Sequence, residues 1–344
     1  MRFRNSLLAI FLFIFSPALA LGQDWQASFN RGLEEIKAGR HVEAAESFRR
    51  ANALRPDVPE GHFNLGLALF NLKRYTESVT AFREAVRLKP NYTKAHIQLG
   101  NALDLAGNYI DALAAYASAE KLEPENAVLY YDRAVAHQNA GKTKEATEQF
   151  KKAIELDANY KAAYDGLARL LDRTDSSDQA ANYFQKVVEL DPKHSYAHRR
   201  IGDFLLRHKR NAEAAISFKI AIALDPQDKN ALLGLGAAYF NDGNYADAAQ
   251  LYQKASALDA KWVQPVVYLA DAYRMQKNYP DAKSTYLKAL AIDVRSADAL
   301  YWLGAISVTE KNLNLARNYY EKLKPVDAAR AAKLLEFITP AKAG

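Results

Sequence analysis

The sequence predicts an all-α protein, an α-solenoid of about nine 34-residue helix-turn-helix repeats closed by a C-terminal capping helix. Three observations carry that expectation. Cut every 34 residues from Trp25, the chain repeats the same residue types at the same phase, without an insertion, as far as about Lys324. The twenty-fourth place of every block is aromatic: Phe48, Phe82, Tyr116, Phe150, Phe184, Phe218, Tyr252, Tyr286 and Tyr320. With aromatics at 11% of the chain, nine independent matches would arise with a probability on the order of one in a billion, so the period is real. Within each block, apolar or small residues at places 4, 7, 8 and 11 and again at 20, 24 and 27 mark the stripes of two helices.

Residues 1–20 form a separate segment. Arg2 and Arg4 precede the apolar run Ser6 to Phe15, and Pro17 breaks it just before Ala18-Leu19-Ala20. A basic start, a short apolar stretch and small residues at the end predict a secretory signal peptide, cleaved near Leu21, and hence an extracytoplasmic protein, periplasmic or secreted. Every later apolar run is interrupted by charge, which predicts no stable membrane span after cleavage.

The repeat blocks run 25–58, 59–92, 93–126, 127–160, 161–194, 195–228, 229–262, 263–296 and 297–330. Turn signals such as Ala38-Gly39, Gly107-Asn108, Gly141 and Asp242-Gly243-Asn244 separate the two helices of a block, and Pro56, Pro90, Pro124, Pro192 and Pro226 end second helices. Place 8 is Gly in six blocks and Ala in three, and place 20 is Ala in all but the second, which has Ser78. A mid-helix Gly costs about 1 kcal/mol against Ala, so the phase demands a close approach. The expected geometry sets the Gly at place 8 against the Ala at place 20, with the aromatic at place 24 beyond the contact. Period and residue set together resemble the tetratricopeptide repeat (TPR) over residues 25 to about 330.

Two regions depart from the pattern. The last block breaks at Pro325, after which Asp327 is expected to cap a helix from Ala328 to Ile338, within a capping segment 326–339. Its Leu334, Leu335, Phe337 and Ile338 would close the stack. In the fifth block, Thr174-Asp175-Ser176-Ser177-Asp178 replaces the tight turn and marks the place expected for any hinge or functional insertion.

Zero cysteine excludes disulfides, thiol nucleophiles and Cys-type metal centres. No residues outside the period remain to carry an acid, base and nucleophile, so the chain is expected to be non-enzymatic and without cofactor. His62, His96 and His198 fall on the buried place 4 and His137 on the buried place 11, and no metal site is expected among them or at His194. The formal charge is +6, or +4 without Arg2 and Arg4, and basic residues alternate with acidic ones, against a nucleic-acid partner.

In a solenoid of this kind the first helices line the concave groove. Places 2, 5, 6, 9, 12 and 13 then face it in three zones: an apolar one with Phe29, Phe63 and Phe70, a charged one with Arg169, Arg173, Arg199, Arg200 and Arg207, and a C-terminal aromatic one with Tyr268 and Trp302. Arg173 and Arg200 lack an unshared acidic neighbour on their own helices, which points to an acidic segment as ligand and makes reversal of both charges neutral for stability. The resemblance implies a protein or peptide partner. Relatives that clamp a chaperone carboxylate use Lys at place 5 and Asn at 9, then Asn at 6, then Lys at 2 with Lys or Arg at 6. Here Asn64 and Lys94 are in phase, whereas Phe29, Leu33 and Gln98 depart, so that clamp is incomplete. The leading expectation is a scaffold holding an extended peptide. The alternative is a polysaccharide-binding or export accessory protein of the cell envelope, using Tyr268 to Trp302.

Overall fold

The computed structural model describes the backbone of residues 17–174 and 177–339 and the side chains from residue 24 onward, apart from Ser177. Among these residues nineteen helices follow one another without a strand: α1 (Pro17–Lys37), α2 (His41–Leu54), α3 (Pro59–Asn71), α4 (Tyr75–Leu88), α5 (Thr93–Leu105), α6 (Tyr109–Leu122), α7 (Ala127–Asn139), α8 (Thr143–Leu156), α9 (Lys161–Asp172), α10 (Ser177–Leu190), α11 (Ser195–Arg207), α12 (Asn211–Leu224), α13 (Lys229–Asn241), α14 (Tyr245–Leu258), α15 (Val263–Met275), α16 (Tyr279–Ile292), α17 (Ala297–Thr309), α18 (Leu313–Leu323) and α19 (Ala328–Ile338). Each 34-residue block holds one pair. Of the signal segment, residues 1–16 lie outside the described residues, and α1 runs across the expected cleavage position. The chain divides into two compact units within α9, one ending at Gly166 and one starting at Leu167. The place expected for any hinge or functional insertion, Thr174 to Asp178, includes Asp175 and Ser176, which lie outside the described residues.

In both units a first helix packs on its own second helix, and successive first helices touch: α1 on α3, α3 on α5 and α5 on α7 in the N-terminal unit, α11 on α13 in the C-terminal one. The second helices bury what the period marked. The residues at place 27, from Ala51 to Leu323, are fully buried, and the aromatics at place 24 from Phe48 to Tyr286 are at most 2% exposed. Tyr320 in the last pair is the exception and is half-buried.

The packing around the glycines differs from the sequence expectation. A Cβ on Gly32, Gly66, Gly100, Gly202 or Gly236 would lie 2.5–2.8 Å from the ring at place 24 of its own block. In these five blocks the aromatic ring itself, rather than the residue at place 20, therefore crowds out a side chain at place 8. Place 20 sits beside the same backbone, since Ser78 Oγ donates to the Gly66 carbonyl at 2.8 Å. The ring is squeezed from both sides in blocks six and seven, where a Cβ on Gly234 would come within 2.4 Å of Phe218.

The first-helix stripe is wider than expected, with place 8 buried in every block and place 11 in seven of the nine. Its fully buried members include place 3 (Ala95, Ala163, Ala197, Ala231, Ala299) and place 10 (Ala68, Ala102, Ala136, Ala238, Ala272). Place 4, expected to be buried, is buried at Tyr130, Leu232, Val266 and Leu300 and half-buried in the other five blocks. Its histidines instead reach across the turn before the helix: the Nε2 atoms of His62, His96 and His198 hydrogen-bond the carbonyls of Pro56, Pro90 and Pro192 at 3.0, 2.9 and 3.0 Å. His137 is buried as expected, 6% exposed.

Each described turn between paired helices places its fifteenth residue in the left-handed region. Gly39, Gly107, Gly141 and Gly243 have φ of 72° to 82°, and Lys73, Lys209, Lys277 and Lys311 have φ of 59° to 61°. Glycine takes this conformation without steric penalty and lysine does not, so four turns hold a strained residue in place by the packing on either side.

At the C-terminus Asp327 accepts from the Arg330 backbone N–H at 2.9 Å, capping α19 as expected. Ala331, Leu334 and Ile338 form its buried face, and Leu334 occupies the space over Gly304. Phe337, expected in that face, is 54% exposed, at the edge of the buried stripe and about 100° around the helix from its neighbour Ile338.

Candidate functional site

The first-helix places expected to face a groove line a recess in the C-terminal unit. One cavity of about 340 Å³ is bordered only by residues of α11, α13 and α15, among them Arg199, Arg200, Asp203, Asn230 and Gln264. A second of about 230 Å³ adjoins it through Ala237 and Tyr268.

Two arginines of the central zone, Arg199 and Arg200, are built into the wall. Arg200 pairs with Asp172 on α9 and with Asp203 at 2.6 Å. Arg199 pairs with Asp203 at 3.3 Å and with Asp228 at 3.0 Å. These side chains are 11–24% exposed, so the chain Asp172, Arg200, Asp203, Arg199, Asp228 is a half-buried network and not a solvated ladder. Burial pushes the Asp203 carboxyl above its ordinary range despite Arg200, Arg199 and Arg207. The expectation that Arg200, with only the shared Asp203 on its own helix, is left for an acidic ligand is therefore corrected: a second partner, Asp172, is 28 residues away on the neighbouring first helix. Arg173 and Arg207 are exposed, and Arg173 makes no ion pair among the described residues. Arg169 lies over the Tyr196 ring at 4.0 Å, with Arg199 over the same ring at 4.8 Å.

The C-terminal aromatics divide. Trp302 is half-buried, 5.0 Å from the Tyr301 ring, and the Arg274 guanidinium lies 3.8 Å from its centroid. A ring covered in this way offers that face to no sugar. Tyr268 stays at the recess, its hydroxyl accepting from Gln264 Nε2 at 2.8 Å.

In the N-terminal unit the apolar zone packs inward. Phe29 stacks on Trp25 at 5.0 Å, Phe63 sits between Phe82 and Tyr92 at 5.7 and 5.0 Å, and Phe70 meets Tyr75 at 5.5 Å. All three are half-buried. The groove places of blocks three and four carry polar pairs that the zoning missed: Asn101 Nδ2 donates to Asp132 at 2.9 Å, Asn139 Nδ2 to Asp104 at 2.7 Å, and the Tyr116 hydroxyl to Asn101 at 2.6 Å. These contacts span 31, 35 and 15 residues, and the first two would be found by comparing each first helix with the next one along, a reading that the zoning within single helices omits.

Asp132 has the amide of Asn101 as its hydrogen-bond partner and no ion pair among the described residues, and burial pushes its carboxyl up to about 6 from 3.8. Between those values the folded state holds more protons than the unfolded chain, so stability falls as pH rises from about 4 to 6. At neutral pH the deprotonated group is expected to cost as much as about 3 kcal/mol. His137, held low by burial, acts in the opposite sense and loses stability as pH falls below the usual imidazole range. Asp132→Asn keeps the acceptor for Asn101, and melting curves should show it more stable than wild type at pH 7.5 and equal to it near pH 4. Equal stability at both pH values would show that water already solvates the carboxylate.

A tetratricopeptide repeat family model matches residues 29–93, 166–229 and 217–261, and a second model of the same repeat matches 127–160. Together they cover more than half of the chain. Among solved structures, the C-terminal part of a TPR repeat-containing protein from Cytophaga hutchinsonii is 18% identical, with a TM-score of 0.55 over 70% of this chain and 99% of that one. PilF of Pseudomonas aeruginosa is 19% identical, with a TM-score of 0.50 over 61% and 96%. MamA of Desulfovibrio magneticus RS-1 is 26% identical over 51% and 98%, with a TM-score of 0.46. The first two likenesses are of fold. No curated protein matches the sequence.

Proposed function

The chain belongs to the tetratricopeptide repeat family, and from that premise we propose that it is an exported, non-enzymatic scaffold that holds an extended segment of a partner protein in the first-helix groove of its C-terminal unit. The observation that carries this reading is the recess of α11, α13 and α15, in which ten residues from three successive first helices, and none from a second helix, converge on one cavity. An extended chain suits such a surface, because each repeat presents the same few places at a regular step. The segment would meet a wall already fixed by the Asp172 to Asp228 network, so little side-chain freedom is lost on binding.

A photoreactive residue at Asn230 or Gln264 should crosslink to the partner, whereas one at the exposed second-helix position Lys254 should not. Crosslinking from Lys254 in preference to the recess would reverse the assignment of the binding face.

Export rests on the composition of residues 1–20. Intact-mass measurement of protein recovered from the periplasm or medium should place the N-terminus at Leu21 or within a few residues of it. Recovery of the full-length chain from membranes would overturn cleavage. Among the described residues no helix is long and apolar enough to cross a membrane.

A further inference from the structure

The smaller cavity has a chemistry of its own. It is lined by Ala237, Phe240 and Asn241 of α13, Tyr252 of α14, and Tyr268 and Asp271 of α15. At about 230 Å³ it falls short of the roughly 300–1,000 Å³ of sites that enclose a whole small molecule, and so suits a single side chain. It exists because place 9 of this block is Ala237, where blocks one and two carry Leu33 and Leu67.

Three aromatic rings form its walls, and Tyr252 and Tyr268 are 5.5 Å apart. Asp271 supplies a carboxylate. Both of its contacts, the Tyr286 hydroxyl at 2.6 Å and Arg274 at 3.5 Å, use Oδ1. Oδ2 takes part in neither contact, and Asp271 is one of the residues that line the pocket. An anionic side chain would meet this carboxylate, and an apolar one would strip its water without replacing the hydrogen bond. A cation satisfies it and also gains from the faces of the rings.

The same unit shows how its groove treats aromatic side chains at these places. Arg274, at place 12, lies on Trp302, at place 6 of the next block, and Arg169 and Arg199 lie on Tyr196. One repeat earlier, place 12 is Phe240 and place 6 of the next block is Tyr268, so no side chain of this phase brings the cation. The nearby Arg199 and Arg200 are tied to Asp172, Asp203 and Asp228.

We propose that this pocket takes a lysine or arginine side chain of the bound segment. The proposal rests on the groove reading given above and adds the residue type that the groove selects. It replaces the acidic ligand expected from the arginine count with a basic anchor.

The test uses the mature full-length chain and a capped pentapeptide of glycine and serine with a central lysine, followed by isothermal titration or by NMR. The lysine peptide should bind saturably, and its ε-acetylated form at least tenfold more weakly. Asp271→Asn should lower the affinity about tenfold, and Ala237→Leu, which fills the pocket with the residue that other blocks carry at place 9, should abolish it while preserving the helical signal. Equal binding of the acetylated peptide, tighter binding of the glutamate analogue, or absence of saturable lysine-peptide binding overturns the proposal. Partner crosslinking at Asn230 and Gln264 separates the two levels: if it persists while lysine selectivity is absent, the pocket assignment fails and the groove stands, and if it too is absent, the groove reading fails.

Discussion

Phe218→Ala is expected to cost about 3–5 kcal/mol, the cost of emptying a large aromatic site that cannot collapse. Phe218 is fully buried, and its ring fills the space left by Gly202 on α11 and Gly234 on α13, so it joins two repeats through one side chain. Helix backbones on both sides limit the inward relaxation that would close the cavity. Because a repeat rests mainly on its neighbours, the loss should appear as uncoupling at that joint and not as uniform weakening. Hydrogen exchange should accelerate across residues 195–262 and change little in α17 and α18. Unchanged exchange in that stretch would show that the ring does not bridge the repeats.

Arg200→Glu is expected to destabilise the C-terminal unit by about 3 kcal/mol, at the lower end for breaking a buried pair because Arg200 keeps 20% exposure. The substitution would place a third carboxylate between Asp172 and Asp203, which the guanidinium now bridges. Arg173→Glu, at an exposed position in the turn after α9, should change stability by less than about 0.5 kcal/mol. Chemical denaturation of the two single variants distinguishes them. If both are neutral, water screens the network; if both are equally damaging, Arg173 has a structural partner of its own.

These two predictions differ in how far the sequence supported them. Phe218 was legible because burial at place 24 recurs with the period, and repetition averages away the accidents of any one block. Its glycine contacts were not, since Gly202 and Gly234 oppose the ring from two different first helices. Arg200 was misread for the same reason. Pairing within one helix follows spacings of three or four, but its partner Asp172 lies on the adjacent first helix at the same level. The Asn101 to Asp132 pair and the Arg274 to Trp302 stack follow the same one-repeat offset.

The left-handed turns were half legible. Glycine announced four of them, whereas Lys73, Lys209, Lys277 and Lys311 carry the same backbone with no local sign. Phe337 was assigned to the capping face on hydrophobicity alone, and it lies at the edge of the stripe that Ala331, Leu334 and Ile338 bury. The pocket beside Asp271 was missed because its cause is an ordinary alanine, Ala237, whose meaning lies in the larger residues found at the same place elsewhere.

The groove assignment itself is tested most directly by hydrogen exchange of the mature protein with and without its crosslink-identified partner. The account predicts slowed exchange in α11, α13 and α15, with α12, α14 and α16 unchanged. Protection confined to α12, α14 and α16 would contradict it.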